Sequence, residues 1–366
     1  MKIAKVEIFS YRLPLIQPIT IKGGTMETRT GLLIRITSDS GFTGWGEVAP
    51  LQGVSPESPS IAREQTLRTR SSLPGVDLSD DWVPLQDDLP FSPPSQEWTP
   101  AVRFGIELAL WNLWLDASLI KPFGEARERP RVVFLNGLLA GKSDEVLHQA
   151  LGLVRAGYRA VKLKVGGRPL EEDIQLTLKL REVIGEETGL RLDANRAWSL
   201  EDAVSFGGAV KGSNIDYIEE PLADPARMAT FIAQCDLPVA LDETLLEIPI
   251  ERLEKRKGIK AVVLKATMLG GLHRSMELAL TARKLGMVVV VSSSFESGVG
   301  IAGLARFAAI ASRDTPVGLD TYRWLATDVV LPRIETQNGY IDLEVLERKH
   351  LGINHLLLEE LTPIQR

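Results

Sequence analysis

Apolar and polar residues alternate with a period of two through most of the first fifty positions, then give way to helical spacing. From Arg131 onward the chain settles into short apolar runs separated by amphipathic stretches. A period of two puts successive side chains on opposite faces of a strand. Residues 3–12, 30–37 and 42–47 are therefore predicted to form a three-stranded meander, with the turn-prone Ser38-Asp39-Ser40-Gly41 joining the last two strands. Between the first two lies a glycine-containing loop over 16–26, expected to act as a lid near 17–28. Residues 55–72 are predicted helical, and Pro84, Pro90, Pro93, Pro94 and Pro100 make the next stretch irregular. Val102, Ile106, Leu110, Leu113 and Trp114 then recur at helical spacing and predict a helix over 101–119, with Trp111 and Trp114 as packing residues.

The later rhythm predicts strands near 132–136, 160–164, 189–193, 217–219, 238–242, 261–265, 288–292 and 317–319, each but the last followed by a helical stretch. This is the pattern of an α/β protein, a (β/α)7β TIM-like barrel over 126–322, with an α+β N-terminal capping domain over 1–125. The tail, 323–366, has the turn signal Asn338-Gly339 and is expected to pack back on the capping domain. No G-x-G-x-x-G follows the first barrel strand, which argues against a dinucleotide fold.

Barrel enzymes carry their chemistry at the C-terminal ends of the strands. Here those ends read Lys162-Leu163-Lys164, Asp193-Ala194-Asn195, Glu219-Glu220-Pro221, Asp242-Glu243 and Leu264-Lys265. If Leu192, Ile218, Leu241 and Leu264 pack outward under helices, Asp193, Glu219, Asp242 and Lys265 point inward. Lys162 and Lys164 then share the inward face of their own strand. Two buried ammonium groups on one strand need compensation, and the three carboxylates provide it. Glu220 and Glu243 lie opposite in pleat, which predicts pairing with basic residues. Arg191 shares the inward face with Asp193 and is expected to support a carboxylate or the substrate. Asn195 is expected to hydrogen-bond near the ligands.

Composition narrows the possible partners. A net charge of −6 and a pI near 5.5 over 366 residues provide no basic field for nucleic acid or an anionic membrane. The N-terminus lacks an apolar h-region and no run approaches a membrane span. A cytoplasmic protein acting on a small-molecule carboxylate is expected. Cys235 is the only cysteine and is read as a buried thiol. His148, His273, His350 and His355 show no zinc-ligand spacing.

Three carboxylates on successive strands are hard oxygen donors suited to Mg²⁺, and lysines flank them on both sides. That arrangement suits removal of a proton next to a carboxylate, where a divalent cation stabilises the enediolate as its charge develops. A lysine base must be neutral to act, and a second ammonium two residues away disfavours its charged form.

The ordered set Lys162-x-Lys164, Asp193, Glu219-Glu220-Pro221, Asp242-Glu243 and Lys265 resembles the muconate lactonising subgroup of the enolase superfamily. Gly41-Phe-Thr-Gly-Trp-Gly-Glu47 is similar to that superfamily's capping-domain strand. Within the subgroup, Arg191-Leu-Asp193-Ala-Asn195-Arg196-Ala-Trp198 and Ser292-Ser-Ser-Phe-Glu-Ser-Gly298 resemble the o-succinylbenzoate synthase family. That resemblance implies dehydration of 2-succinyl-6-hydroxy-2,4-cyclohexadiene-1-carboxylate to 2-succinylbenzoate, on the route to menaquinone or phylloquinone. It implies Mg²⁺ held by Asp193, Glu219 and Asp242, with Lys164 removing the proton. Lys265 sits over the opposite face of the intermediate, and Lys162 holds the substrate carboxylate and tunes Lys164. The small-residue run containing Ser293, Ser294 and Glu296 is expected to present backbone N–H groups to a carboxylate. The lysine pair also leaves open N-acyl amino acid racemisation, dipeptide epimerisation and cycloisomerisation, and a non-catalytic barrel is the remaining alternative. Dipeptide epimerases show Asp-x-Asp on the eighth strand, where this chain has Asp320-Thr321-Tyr322.

Overall fold

The fold comes from a computed structural model, which describes residues 1–21, 24–78, 82–89, 98–117, 131–249, 253, 258–336, 338–348 and 352–361. Pro90, Pro93, Pro94, Leu119, His350 and the boundary expected at 125/126 lie outside the described residues.

Strands β1 (Ile3–Ile21), β2 (Gly24–Ser38) and β3 (Thr43–Val48) form the expected antiparallel meander. One prediction is corrected. Residues 16–21 and 24–26 are strand and not loop, because β1 and β2 stay paired to their ends, with Ile19 opposite Met26 and Thr20 opposite Thr25 after a register shift at Pro14/Ile19. The β-branched run Ile19-Thr20-Ile21 favours the pleated backbone, and the irregularity absorbs Pro18 without ending the strand.

One face of this sheet is sealed by helices α1 (Pro59–Ser72) and α2 (Pro100–Asp116), over a core that includes Ile8, Ile34, Ile36, Val102, Ile106 and Leu110. Pro100 opens α2 rather than breaking it, as the first helical turn permits. Gly44 and Gly46 let the helix backbone come very close. A Cβ at Gly46 would stand 1.8 Å from the Gly105 carbonyl oxygen, and one at Gly44 would stand 1.9 Å from that of Ala109. Trp111 and Trp114 are buried, and Trp114 meets Trp82 edge to face at 4.9 Å.

The second sheet is parallel. After β4 (Val132–Phe134), it runs through β5 (Asn136–Leu139), helix α3 (Ser143–Arg155), β6 (Ala160–Lys164), α4 (Leu170–Ile184), β7 (Gly189–Asp193), α5 (Leu200–Ala209) and β8 (Ile215–Glu219). It continues through α6 (Met228–Gln234), β9 (Val239–Leu241), the short α7 (Thr244–Glu247), β10 (Ile259–Leu264), α8 (Ala266–Leu269), α9 (Leu272–Lys284), β11 (Val288–Val291) and α10 (Gly298–Ala311). Spatial order follows chain order from β5 to β11. Val317 and Gly318 close the circle, since Val317 bridges Leu135 and Gly318 bridges Ser292, both in parallel. The first barrel strand is therefore 136–139, not 132–136, because β4 pairs antiparallel with β13 (Tyr340–Asp342), which follows the two-residue β12 (Val330–Leu331).

Alternation sorts the barrel side chains as expected. Leu163, Leu192, Ile218, Leu241 and Leu264 pack in the layer under the helices, while Tyr217, Ala240, Ala261, Val263 and Val290 fill the interior. In the tail, α11 (Leu343–Arg348) and β14 (Gly352–Ile353) precede β15 (Leu358–Glu360), which lies antiparallel to β1 with Glu360 opposite Phe9. Among the described residues, no helix is long and apolar enough to cross a membrane.

Candidate active site

Strand register brings the predicted polar residues together. Lys164 lies beside Asp193 across β6 and β7, and Asp193 lies beside Glu219 across β7 and β8. Asp242 and Lys265 follow the last residues of β9 and β10 at the same barrel end. The Lys162 ammonium donates to Asp193 Oδ2 and Glu219 Oε2, each at 3.0 Å. Lys164 donates to Asp193 Oδ2 at 2.7 Å and to the Asn195 side-chain oxygen. Lys265 donates to Asp242 Oδ2. Among the described residues, no three acidic, histidine or cysteine groups yet close around a common point. Ammonium groups stand between the carboxylates instead.

Burial separates the three lysines. The Lys162 and Lys265 side chains are 10% and 15% exposed, whereas that of Lys164 is 40% exposed. Burial opposes the charge on Lys162, but Asp193, Glu219 and Asp242 outweigh it and hold the ammonium well above the usual lysine range. Burial likewise opposes Lys265, and Asp242 overcomes it, so its ammonium is also raised. Their surroundings favour the charged form of both, and Lys164 is the most exposed lysine of the three.

The carboxylates divide too. Despite burial, Lys162, Lys164 and Lys265 hold Asp193 far below the ordinary carboxylate range. Burial, reinforced by Asp193 and Asp242 against the pull of Lys162, pushes Glu219 up to about 7. Burial, with Glu243 and Asp193 acting against Lys265, pushes Asp242 up to about 6. The lysines therefore leave part of the crowded negative charge unrelieved. A hard divalent cation fits such an all-oxygen donor set on neighbouring strands.

Behind these groups, the turns after β7, β8 and β9 are cross-braced. Fully buried Glu220 accepts the N–H groups of Asp242 and Thr244, both at 2.8 Å, the Thr244 hydroxyl at 2.8 Å, and Arg196 Nε at 3.2 Å. Glu220 thus pairs with a base, as its pleat predicted, and it also fixes the backbone that carries Asp242. Its φ of +40°, with +44° at Asn195 and +61° at Arg196, puts three non-glycine residues in the left-handed region. Each such residue costs about 1–3 kcal/mol and persists only where its surroundings enforce it. Replacing Glu220 with alanine leaves Arg196 and two backbone donors without this partner. Denaturant unfolding is expected to show a loss of about 3 kcal/mol, and a loss under about 1 kcal/mol would mean that the brace is dispensable.

Three predictions are corrected. Arg191 does not support the carboxylate cluster. Its guanidinium turns to the opposite end of the barrel, donating to Asn136 Oδ1 at 2.9 Å and the Pro316 carbonyl at 2.6 Å, with Asp216 at 3.4 Å. The shared face is as predicted, but a long side chain also chooses a direction along the strand. Glu243 meets the Asn195 amide at 3.1 Å rather than a basic group, and its other oxygen is buried without a hydrogen-bond partner.

The third correction concerns the turn after β11. The amides that start α10 are not left for a ligand, because Glu47 of β3 accepts the N–H groups of Ser297 and Gly300, both at 2.8 Å, and Asp328 accepts that of Gly298 at 2.9 Å. Ser294 N–H goes to Glu296 Oε2 at 2.6 Å, and Ser293 N–H and Oγ both go to the Gly318 carbonyl at 3.0 Å. Glu296 also takes the Thr267 hydroxyl at 2.9 Å, and burial beside Glu47 pushes its carboxyl up to about 7. A buried helix start has donors to satisfy, and here internal carboxylates satisfy them.

Arg29 was not foreseen. It is buried and donates to the carbonyls of Phe295 at 2.9 Å, Ser294 at 3.2 Å, Pro50 at 3.1 Å, and Ala49. The available signal was phase, because Arg29 shares the strand face of buried Leu33. A cavity of about 500 Å³, lined in part by Arg333, Glu335, Tyr340 and Val345, lies by the C-terminal segment and borders none of these groups.

Comparison with known proteins places the fold and the family. Residues 145–353 match the enolase C-terminal domain-like family, and residues 3–113 match the MenC N-terminal domain. An o-succinylbenzoate synthase of Haemophilus influenzae is 31% identical over 340 residues, covering 92% of this chain and 95% of that protein. The chloroplastic protein PHYLLO of Arabidopsis thaliana is 32% identical over 373 residues, covering 90% of this chain, which spans only 22% of PHYLLO's length. Among solved structures, a dipeptide epimerase from Enterococcus faecalis complexed with Mg and L-Leu-L-Tyr superposes with a TM-score of 0.79 at 22% identity, covering 94% of this chain and 97% of that one. That likeness carries the fold, while the closer sequence relationship carries the family. With a capping domain of the MenC type on an enolase-type barrel, this chain belongs to the o-succinylbenzoate synthase family of the enolase superfamily.

Proposed function

We propose that this enzyme is a carbon–oxygen lyase that dehydrates 2-succinyl-6-hydroxy-2,4-cyclohexadiene-1-carboxylate to 2-succinylbenzoate, a step toward menaquinone or phylloquinone, in the cytoplasm. The observation that supports it best is one accessible lysine, Lys164, facing two buried lysines and three buried carboxylates at one barrel end. In this reading Asp193, Glu219 and Asp242 hold Mg²⁺. When bound, the ion supplies positive charge against the substrate carboxylate as negative charge develops there.

The chain's own residues perform the remaining steps. Lys164, as the free amine, takes the proton from the ring carbon bearing the carboxylate. Asn195 and Asp193 orient the Lys164 nitrogen. The C–O bond to the ring hydroxyl then breaks, and the same Lys164 returns its proton to the departing hydroxide, so that water leaves and the ring becomes aromatic. Lys162 and Lys265 remain charged throughout. Lys162 balances the carboxylates beside Lys164, and Lys265 faces the opposite side of the ring, where a cation is attracted by its π-system. The proposed division of the chain is a capping domain over 1–125, a barrel over 126–322 and a returning segment over 323–366. The segment near 17–28 serves as the lid.

A dipeptide epimerase reading is disfavoured by Asp320, although the fold neighbours include such enzymes. Its carboxylate is buried and committed to the Tyr158 hydroxyl at 2.7 Å, the Leu138 N–H at 3.0 Å and Arg323 at 2.7 Å. Tyr322 stands where a second aspartate is needed to hold a dipeptide amine, and its hydroxyl goes to Asp328.

Incubation with the cyclohexadiene carboxylate, with N-succinyl amino acids and with dipeptides, each in D₂O with Mg²⁺, tests the reading. Conversion of the first to 2-succinylbenzoate, with no deuterium entering the dipeptides, is expected. An unreacted diene together with deuterated dipeptide would overturn it.

A further inference from the structure

The capping domain grips the turn after β11 from two sides. On one side, fully buried Glu47 takes the amides of Ser297 and Gly300, the Ser297 hydroxyl at 2.6 Å, and the Tyr11 hydroxyl. On the other, Arg29 holds the carbonyls of Ser294 and Phe295. Between the two grips Phe295 has φ +62°, a left-handed backbone that a β-carbon resists. The Phe295 ring packs in a separate apolar cluster with Leu51 and Trp324, against which Ile19 and Met26 of the hairpin rest. Phe295 follows the seventh barrel strand and Trp324 follows the eighth, so this cluster borders the barrel end that carries Lys164.

Space around the turn is equally specified. A Cβ on Gly300 would stand 2.6 Å from Glu296 Cβ and 2.8 Å from Glu47 Oε2, so Glu47 reaches the Gly300 amide only because this position carries no side chain. Glu296 ties the same turn to Thr267, two residues beyond Lys265.

We propose that Arg29 and Glu47 are positioning residues: they hold the 293–300 turn in its strained form, so that Phe295 completes an apolar wall for the carbocyclic ring of the substrate. The wall then exists only while the capping domain is docked. For its kinetic consequence, though not for the grip itself, this inference rests on the dehydration reading.

Two measurements test it. Kinetics of Arg29→Met, Phe295→Ala and the double variant on the cyclohexadiene carboxylate with Mg²⁺ are expected to show KM raised about tenfold in each single variant, with little change in kcat. The double variant is expected to be no worse than the worse single, because both act through one ring. Multiplying KM effects, or an unchanged KM with lowered thermal stability, would overturn the proposal. Amide hydrogen exchange on intact Glu47→Gln, read without substrate, is expected to accelerate at Ser297 and Gly300, and unchanged exchange there would overturn the grip. If wild type fails to turn over the diene, the dehydration reading falls while the exchange result still decides whether the turn is held.

Discussion

Lys164→Ala is expected to lower turnover by about 10⁴-fold while the protein stays folded. One general acid–base group contributes up to about 10⁴-fold, and Lys164 is assigned both the removal of the proton and its return to the leaving hydroxide. In barrier terms the loss is about 5.4 kcal/mol. Folding is expected to survive because the Lys164 side chain is 40% exposed, so its truncation opens no sealed cavity. Asp193 loses one ammonium but retains Lys162 at 3.0 Å. Steady-state turnover together with a thermal melt checks this. Activity within tenfold of wild type would place the base elsewhere, with Lys265 the first alternative because it approaches from across the site.

Asp242→Ala is expected to weaken Mg²⁺ binding by about 100-fold or more, equivalent to about 2.7 kcal/mol, and to remove turnover at ordinary metal concentrations. Asp242 is buried, carries its carboxylate on backbone braced by Glu220, and is the partner of the Lys265 ammonium. The substitution removes a donor oxygen and leaves the buried Lys265 ammonium without its partner, so attraction for the ion falls while repulsion rises. Calorimetric titration of Mg²⁺ into wild type and variant measures the difference. Matching affinities would remove Asp242 from the ligand set.

The two substitutions separate roles that share one cluster. Lys164→Ala is expected to leave metal affinity intact or somewhat tighter, because it deletes a positive charge beside Asp193 and removes no donor to the ion. Loss of turnover with retained metal binding is the signature of the base, and loss of both is the signature of a ligand.

The barrel and its polar rim were legible because strand period and strand ends are written directly in the sequence. Lys162, Lys164, Asp193, Glu219, Asp242 and Lys265 each follow from the alternation of their own strand. What period cannot give is direction along a strand, and Arg191 shows it, sharing a face with Asp193 yet reaching the far end of the barrel. Partners distant in sequence were also hidden. Glu47 lies 250 residues from Ser297, and only the docked domains show that its carboxylate fills the helix start that otherwise resembles a ligand site. The hairpin is hard to see for a local reason, since Pro18 and Gly23-Gly24 suggest a loop, whereas the pairing of Ile19 with Met26 continues the ladder.

Lys164 chemistry is expected to begin with loss of the proton from the carboxylate-bearing ring carbon. Single-turnover conversion of the cyclohexadiene carboxylate with Mg²⁺, comparing substrate carrying hydrogen with substrate carrying deuterium at that carbon, tests it most directly, since a single turnover isolates chemistry from product release. 2-Succinylbenzoate is expected to form from both and distinctly more slowly from the deuterated one. Equal rates, or no 2-succinylbenzoate from either, would contradict it.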